Sequence, residues 1–406
     1  MPGAEATPLA PSPAHATRPV PPKAPVLDWS SFRGRRAPGL PSVDDLAQAT
    51  ATTSGRAAIY HAVLQLALPP ASLVLVPTYH CPTMIAPVVC AGMTPGYFAI
   101  GPDGLPDLAS IDATSAGRAR AMIVAHYFGL PHSLQAVRAW CDAHDVVLIE
   151  DCAHAYFGHA GERQVGGWGD FATASVSKFF PVPEAGVLAS TWRPVTAPRL
   201  AAPRLGAQAK GVLDVLEVAT RHQRLAGPRR PLAALFALKN VRSGRAPATA
   251  VADDVPALPQ DAEDEAMRRC DMGRITQAPL WVSSALKRFL PRARIVARRR
   301  RHFALYADLF TGVHGARALM PMPEGAVPYV FPLFVDDAER VYAGLRQQRL
   351  PVFRWDRVWP GTPALPGDLG PLWSRHVLQL LCHQDLSAAD VAHTARATLR
   401  LLAAAP

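Results

Sequence analysis

The sequence predicts an α/β protein built on a buried, mostly parallel β-sheet. Short, continuous apolar runs at 74–76, 121–125 and 146–149 are separated by helix-forming stretches, as expected of parallel strands that are covered on both faces. The chain has 406 residues, of which 49% are apolar, and this length suffices for one large hydrophobic core and a smaller second one. We therefore expect two domains.

The expected boundaries follow changes in composition along the chain. Residues 1–25 are rich in Pro and Ala and lack the pattern of a signal peptide, so a mobile tail is predicted there. Residues 26–265 form the predicted large domain, which includes a variable segment at 193–264 that is rich in Pro, Ala and Arg. Residues 266–406 form the predicted smaller, C-terminal α+β domain.

A helix start that suits an anion lies near the beginning of the large domain. Ser54 is predicted to be an N-cap, Gly55 allows close approach to the backbone, and an Ala-rich, helix-forming stretch follows. Backbone N–H groups at such a start attract a phosphate group. Arg56 is expected to add a charged contact and Ser175 a hydroxyl. Taken alone, the motif usually indicates only a capped helix, and its position upstream of Asp151 and Lys178 is what favours a phosphate site.

Lys178 and Asp151 carry the predicted chemistry. Asp151 ends an apolar strand and precedes Lys178 by 27 residues. A lysine that binds an aldehyde and an aspartate that binds a ring nitrogen are the two protein groups that pyridoxal phosphate requires. Lys178 follows small and apolar residues, and desolvation there would lower the pKa of its amine. The Asp151 carboxylate would keep the pyridine nitrogen protonated.

These residues belong to a longer set of motifs in a fixed order. The motifs are Ser54-Gly55-Arg56-Ala57-Ala58, Val76-Pro77-Thr78-Tyr79, Ala91-Gly92-Met93-Thr94-Pro95, His126-Tyr127-Phe128-Gly129, Ile149-Glu150-Asp151-Cys152-Ala153-His154, Gly169-Asp170-Phe171 and the turn at Lys178. In these motifs the chain resembles the DegT/StrS family of pyridoxal phosphate-dependent sugar aminotransferases, in one of its less familiar branches. A weaker similarity follows at 331–333 and 377–384.

The resemblance implies a fold and a set of roles. The fold is the aspartate-aminotransferase-like (fold type I) architecture, with Lys178 as the Schiff-base lysine and Asp151 at the pyridine nitrogen. Three residues would surround the cofactor phosphate, namely Gly55, Arg56 and Ser175. His154 stands where the family usually has a glutamine near the cofactor ring, and an imidazole can also donate or accept a hydrogen bond there. The alternative for His154 is a buried structural histidine.

Two features depart from the family pattern. An aromatic side chain from the loop after the Val76-Pro77 strand usually stacks on the cofactor, so here Tyr79 or His80 must stack, or nothing does. The turn after the lysine usually ends in an acidic residue and two glycines, whereas this chain has Glu184-Ala185-Gly186. The identity of the substrate therefore does not carry over from the family.

The implied reaction is an amino transfer in two halves. An amino acid, expected to be glutamate, loads the cofactor, and a keto sugar, expected to be nucleotide-linked, accepts the amine. Lys178 would move protons as general acid and base. The family's usual pathways assemble surface polysaccharides or the sugars of secondary metabolites. One alternative is a catalytically degenerate regulatory or binding protein of the same fold. A less favoured one is a sugar dehydratase, a branch in which histidine replaces the lysine.

The positive charge of the chain suggests a different class of protein, one that binds nucleic acids. The net charge is +10, and arginines cluster at 292–301, a pattern that nucleic-acid-binding proteins share. Apolar residues alternate with these arginines at close to helical spacing, which favours an amphipathic helix with a solvated face. We therefore expect small-molecule substrates and no nucleic-acid partner.

The remaining expectations concern location and assembly. The six cysteines show no CxxC pair and no zinc-like spacing, so free thiols in the cytoplasm and no metal are predicted. Cys81 and Cys152 fall near the predicted cofactor, either as reactive thiols or as small core residues. No apolar run approaches the roughly 20 residues of a membrane span. The resemblance implies a homodimer, in which Arg274 is a weak candidate for a phosphate contact.

Overall fold

The computed structural model describes residues 20–34, 39–242 and 263–404, with only the backbone described for 239–242. Residues 1–19 of the predicted tail and 243–262 of the predicted variable segment therefore lie outside the described residues. The described part of the variable segment contains two helices and connecting loops.

The strands of the described residues form two sheets and a short hairpin. In chain order they are β1 (Gln48–Thr52), β2 (Leu73–Pro77), β3 (Thr94–Phe98), β4 (Ala119–Ala125), β5 (Val147–Asp151), β6 (His159–Ala160), β7 (Arg163–Gln164), β8 (Phe171–Ser175), β9 (Gly186–Ser190), β10 (Ala316–Ala318), β11 (Val330–Val335), β12 (Val352–Phe353) and β13 (Val377–Leu381).

The helices surround these sheets. They are α1 (Gly55–Gln65), α2 (Pro82–Cys90), α3 (Ala113–Arg118), α4 (Gln135–Ala143), α5 (Leu205–Arg221), α6 (Arg229–Arg242), α7 (Glu263–Arg269), α8 (Trp281–Phe289), α9 (Arg292–Phe310), α10 (Ala338–Gln347), α11 (Gly370–His376) and α12 (Ala388–Ala403).

The large sheet has seven strands in the order β1-β9-β8-β5-β4-β2-β3. The five strands from β8 to β3 run parallel, β9 pairs antiparallel with β8, and the edge strand β1 pairs antiparallel with β9. β4 and β5 are almost entirely buried, because helices cover both faces of a parallel sheet and its strands must be apolar throughout. The predicted α/β class with a mostly parallel sheet is therefore confirmed.

The parallel strands determine where functional side chains gather. The carboxyl ends of β2, β4, β5 and β8 lie at the same edge of the sheet, since these strands run in one direction. Asp151 is the last residue of β5, and Ser175 is the last residue of β8, three residues before Lys178. Ligands of open α/β sheets bind at this edge.

The smaller C-terminal part contains an antiparallel sheet in the order β10-β11-β13-β12. A strand at 327–335 and a helix at 338–348 are predicted here, and the structure has β11 from Val330 to Val335 and α10 from Ala338 to Gln347. The strand begins three residues later than predicted because residues 327–329 contact the large sheet's loops, where the Tyr329 amide donates to the Phe128 carbonyl (2.8 Å).

Two other segments differ from the sequence expectations. Residues 20–25 of the predicted tail are packed, since Pro21, Pro22 and Pro25 are buried and His383 Nε2 donates to the Pro22 carbonyl (2.9 Å). The basic run at 292–301 is helical, as predicted, and forms the start of α9. Its arginines do not all lie on a solvated face, because Arg299 is fully buried.

Candidate active site

A cavity of about 200 Å³ lies at the carboxyl edge of the parallel strands. Its walls come from the first turn of α1, the loops after β2, β4 and β5, the turn after β8, and Trp355 from the C-terminal part of the chain. The residues that line it include Ser54, Gly55, Arg56, Cys81, His126, Asp151, His154, Ser175, Ser177, Lys178, Glu184 and Trp355. The structure thus brings together six of the predicted site residues: Gly55, Arg56, Asp151, His154, Ser175 and Lys178.

Lys178 ends a short 3-10 turn that follows β8. Desolvation lowers the pKa of its amine below the usual value, while the Asp151 carboxylate opposes that change. Its Nζ lies 5.3 Å from the centre of the Tyr329 ring. A larger unprotonated fraction follows, and this is the form of a lysine amine that attacks a carbonyl carbon.

Asp151 is the last residue of β5. It is buried, with only 8% of its surface exposed. Its Oδ1 accepts a hydrogen bond from the Ala153 amide (2.9 Å). Burial raises the pKa of this carboxyl, and the positive charge of Lys178 lowers it in part. A cationic ring nitrogen facing the carboxyl would lower its pKa further and keep the group ionised.

The opposite end of the cavity is built for an anion. Ser54 caps α1 by accepting a hydrogen bond from the Ala57 amide (3.2 Å), so the helix begins at Gly55 with its free N–H groups at the cavity wall. A Cβ atom on Gly55 would lie only 3.2 Å from the Cβ of Ser175, so the glycine allows α1 to approach the end of β8. The hydroxyls of Ser175 and Ser177 are 3.5 Å apart beside it.

Arg56 has a partner that the sequence did not predict. Its Nη2 lies 2.6 Å from Glu184 Oε1, and Arg274 Nη1 lies 3.6 Å from the other oxygen of the same carboxylate. Arg56 Nε also donates to the Asp271 carbonyl (3.0 Å). Both guanidinium groups therefore meet Glu184 at the anion end of the cavity.

His154 lies between two aromatic rings from the C-terminal part of the chain. Its ring stacks on Tyr329 at 4.4 Å and lies 4.9 Å from the Trp355 ring. Burial lowers the pKa of His154 well below its usual value, and its Nδ1 accepts from the Phe128 amide (3.3 Å), so the imidazole is neutral with its proton on Nε2. Trp355 was not predicted, because no sequence signal links position 355 to the loops of the large sheet.

Tyr79 and His80 do not line the cavity; the sequence predicts that one of these two residues, or no residue, stacks on a cofactor ring. Tyr79 is fully buried and packs edge-on against Trp373 at 5.5 Å. His80 Nδ1 donates to the Pro77 carbonyl (2.8 Å), and its Nε2 accepts from the Trp359 amide (2.8 Å). Burial lowers the pKa of His80 to about 4. The loop places Cys81 at the cavity instead.

His126, which lines the cavity, forms a buried pair with Glu150. His126 Nε2 lies 2.7 Å from Glu150 Oε2, and the Glu150 carboxylate also accepts from the amides of Gly166, Trp168 and Gly169 at 3.0, 2.6 and 2.6 Å. Together with Cys152, these two residues are spaced closely enough to hold a metal ion. The hydrogen bonds already use both oxygens of Glu150, so we interpret the group as a structural network.

The cavity fits pyridoxal phosphate on three observations. Lys178, whose pKa is lowered, and the buried Asp151 line one cavity, the charge of each shifts the pKa of the other, and a helix start with two serine hydroxyls lies in the same cavity. These groups match the aldehyde, the ring nitrogen and the phosphate of the cofactor.

The comparison with solved structures concerns the fold. The chain has the fold of DesV from S. venezuelae, with a TM-score of 0.61, 17% identity, and coverage of 90% of this chain and 87% of that one. The 3-amino-5-hydroxybenzoic acid synthase gives a TM-score of 0.58 at 16% identity, over 89% of this chain and 88% of the other. The fold is therefore the aspartate-aminotransferase-like, fold type I architecture.

The sequence comparison finds a family match over part of the chain. Residues 45–190 match the DegT/DnrJ/EryC1/StrS aminotransferase family, which confirms the resemblance seen in the motifs. The chain is 29% identical over 178 residues to UDP-N-acetyl-3-dehydro-alpha-D-glucosamine 3-aminotransferase of Acidithiobacillus ferrooxidans, covering 42% of this chain and 47% of that protein. It is 28% identical over 128 residues to GDP-perosamine synthase of Vibrio cholerae, covering 31% and 35%. The chain thus spans less than half of the length of these relatives.

Proposed function

We propose that this protein is a pyridoxal phosphate-dependent aminotransferase that moves an amino group from an amino acid to a keto sugar. The observation that carries the proposal is the pairing of Lys178 and Asp151 in one cavity with an anion-binding helix start. The match to an aminotransferase family over residues 45–190 supports it. Bound pyridoxal phosphate supplies an electron-withdrawing ring that stabilises negative charge on the substrate carbon.

The residues of this chain would perform the remaining work. Lys178 would hold the cofactor aldehyde, and its free Nζ would take the proton from the Cα of the substrate as a base and give it back as an acid. Asp151 keeps a proton on the ring nitrogen. The first turn of α1, with Ser175 and Ser177, holds the phosphate and thereby fixes the ring relative to Lys178.

The neutral His154 has a positioning role in this proposal. Its Nε2–H is free to donate to an uncharged or anionic oxygen, since Nδ1 already accepts from the Phe128 amide. Trp355 closes the cavity from the side of the small domain. Together they would orient the cofactor and exclude water from the reacting carbon.

The proposed amino donor, acceptor and pathway are supported by the relatives found in the sequence comparison. We propose glutamate as the amino donor and a nucleotide-linked keto sugar as the acceptor, in the assembly of a surface polysaccharide or a secondary metabolite. The aminotransferase of Acidithiobacillus ferrooxidans is named for a UDP-linked keto sugar, which supports this choice. We further propose a homodimer that works in the cytoplasm, and two domains with the predicted boundaries. In the described residues, no helix is sufficiently long and apolar to span a bilayer.

The test uses the absorbance of the purified protein. Wild type with pyridoxal phosphate should show the visible band of the lysine-bound cofactor, and glutamate should convert it to the band of pyridoxamine phosphate. Lys178→Ala should lack the lysine-dependent band. Lys210→Ala is the matched control, because Lys210 is exposed and pairs only with the neighbouring Asp214 in the described residues. A wild-type protein without the band would favour a catalytically degenerate binding protein. A band that glutamate leaves unchanged would argue against this amino donor.

A further inference from the structure

Arg299 is a buried cation that reaches the catalytic turn from the small domain. It lies on α9 and is fully buried. Its Nε donates to Gln384 Oε1 (2.9 Å), Nη1 to the carbonyls of Pro328 (3.1 Å) and Tyr329 (3.3 Å), and Nη2 to the carbonyl of Lys178 (2.6 Å). All four acceptors are uncharged oxygens.

The side chain remains charged in this environment. Burial lowers the pKa of Arg299 to about 10, which is still well above neutral pH. The guanidinium lies 4.3 Å from the centre of the Phe179 ring, a favourable place for a cation. Because a buried charge is costly unless it is well bonded, the carbonyl oxygens around Arg299 are held firmly in place.

Gln384 connects Arg299 to Phe179, the residue that follows Lys178. Its Oε1 accepts from Arg299, and its Nε2 donates to the Phe179 carbonyl (2.8 Å). Arg299 and Gln384 together therefore fix the carbonyl oxygens of Lys178 and Phe179, two consecutive residues. Gln384 belongs to the segment 377–384, whose similarity to the family had no assigned role.

The other two bonds of Arg299 hold the backbone of the segment that carries Tyr329, whose ring lies beside Lys178 and His154. The carbonyls of Pro328 and Tyr329 are held by the same guanidinium, and the Tyr329 ring stacks on His154 and lies 5.3 Å from Lys178 Nζ. One side chain thus ties the backbone of the lysine to the backbone of the ring beside it.

We propose that Arg299, assisted by Gln384, is a positioning residue that sets where the amine of Lys178 lies in the cavity. This inference rests on the proposed function, because it assumes that Lys178 binds the cofactor aldehyde. A change in the backbone direction at Lys178 moves Nζ at the end of its side chain. A displacement of about 1 Å at a reacting group lowers the reaction rate substantially.

Two ligands separate this role from a purely structural one. Pyridoxal phosphate bonds to Lys178, whereas pyridoxamine phosphate occupies the same cavity without that bond. We expect Arg299→Lys, which keeps the charge but lacks the planar donor group, to weaken pyridoxal phosphate binding about tenfold and to change the Kd of pyridoxamine phosphate less than about twofold. Gln384→Met should act in the same direction and more weakly.

The controls make the outcome decisive. Arg294→Lys alters the same helix at a residue that pairs with Asp385 (2.9 Å), so its ratio of the two Kd values should match that of wild type. The inference is overturned if Arg299→Lys weakens both ligands equally, or neither. If Arg299→Lys does not fold, the ratio for Gln384→Met decides alone. If wild type binds pyridoxal phosphate without forming a bond to Lys178, the proposed function itself is refuted.

Discussion

Arg56 Nη2 lies 2.6 Å from Glu184 Oε1 at the anion end of the cavity. The arginine that was expected to bind the phosphate is therefore already paired with a carboxylate. A phosphate that arrives at the start of α1 meets both the guanidinium and the negative charge of Glu184. Burial raises the pKa of Glu184, and the charges of Arg56 and Arg274 lower it in part.

We expect Glu184→Gln to bind pyridoxal phosphate about threefold to tenfold more tightly than wild type, because a like charge next to the phosphate is removed. The difference should shrink as the pH falls, since wild-type Glu184 becomes protonated below its raised pKa and then resembles glutamine. Titration of both proteins with the cofactor at several pH values measures this. Weaker binding by Glu184→Gln would show that Glu184 holds Arg56 in place for the phosphate.

A second prediction concerns the amine of Lys178 in the protein without cofactor. Desolvation lowers its pKa from 10.5, so acylation of Lys178 should begin at lower pH than acylation of the exposed Lys210. The Asp151 carboxylate raises the pKa of Lys178, so Asp151→Asn should shift the acylation profile of Lys178 to still lower pH. Mass spectrometry of labelled peptides gives both profiles. Identical profiles for the two lysines would contradict the proposed environment of Lys178.

The third prediction concerns stability. Glu150 accepts hydrogen bonds from three backbone amides and pairs with His126, so Glu150→Ala leaves these groups buried and unpaired. We expect a loss of at least about 3 kcal/mol in the free energy of unfolding, measured with urea. Asp142→Ala is the control, because the side chain of Asp142 is 66% exposed and its pair with Arg138 should contribute less than about 1 kcal/mol. Equal losses would refute the network at Glu150.

A fourth prediction separates Tyr79 from Trp355. Trp355 lines the cavity and Tyr79 does not, so Trp355→Leu should weaken binding of pyridoxal phosphate more than Tyr79→Leu does. Tyr79→Leu should instead lower the unfolding free energy by about 3 kcal/mol, because Tyr79 is fully buried. Calorimetric titration and urea unfolding of both variants test the assignment. Stronger loss of cofactor binding in Tyr79→Leu would restore the stacking role that the sequence suggested.

Local sequence patterns were sufficient for the large sheet and for one side of the cavity. Asp151 and Ser175 end continuous apolar strands, and parallel strands necessarily bring such ends to one edge. Ser54 and Gly55 were recognisable because a helix cap is encoded within a few residues. These features depend on neighbours in the chain, so a single sequence reveals them.

The other side of the cavity depends on long-range packing. Trp355, Tyr329 and Arg299 come from the C-terminal part, and their neighbours in sequence do not indicate that they meet the loops of the large sheet. The basic run at 292–301 predicts a solvated face, because arginines are usually exposed, and the burial of Arg299 within that run is not encoded by its neighbours in sequence. The surroundings of Tyr79 depend on the same kind of packing, because its ring contacts Trp373, which lies far away in the sequence.

The most direct test of the central claim is to locate the lysine that binds the cofactor. Wild-type protein with pyridoxal phosphate is reduced with borohydride and digested, and the added cofactor mass is mapped by mass spectrometry. We expect the mass on the peptide that contains Lys178 and on no other lysine. Modification of a different lysine, or no modification at all, would contradict the assignment of this cavity as the active site.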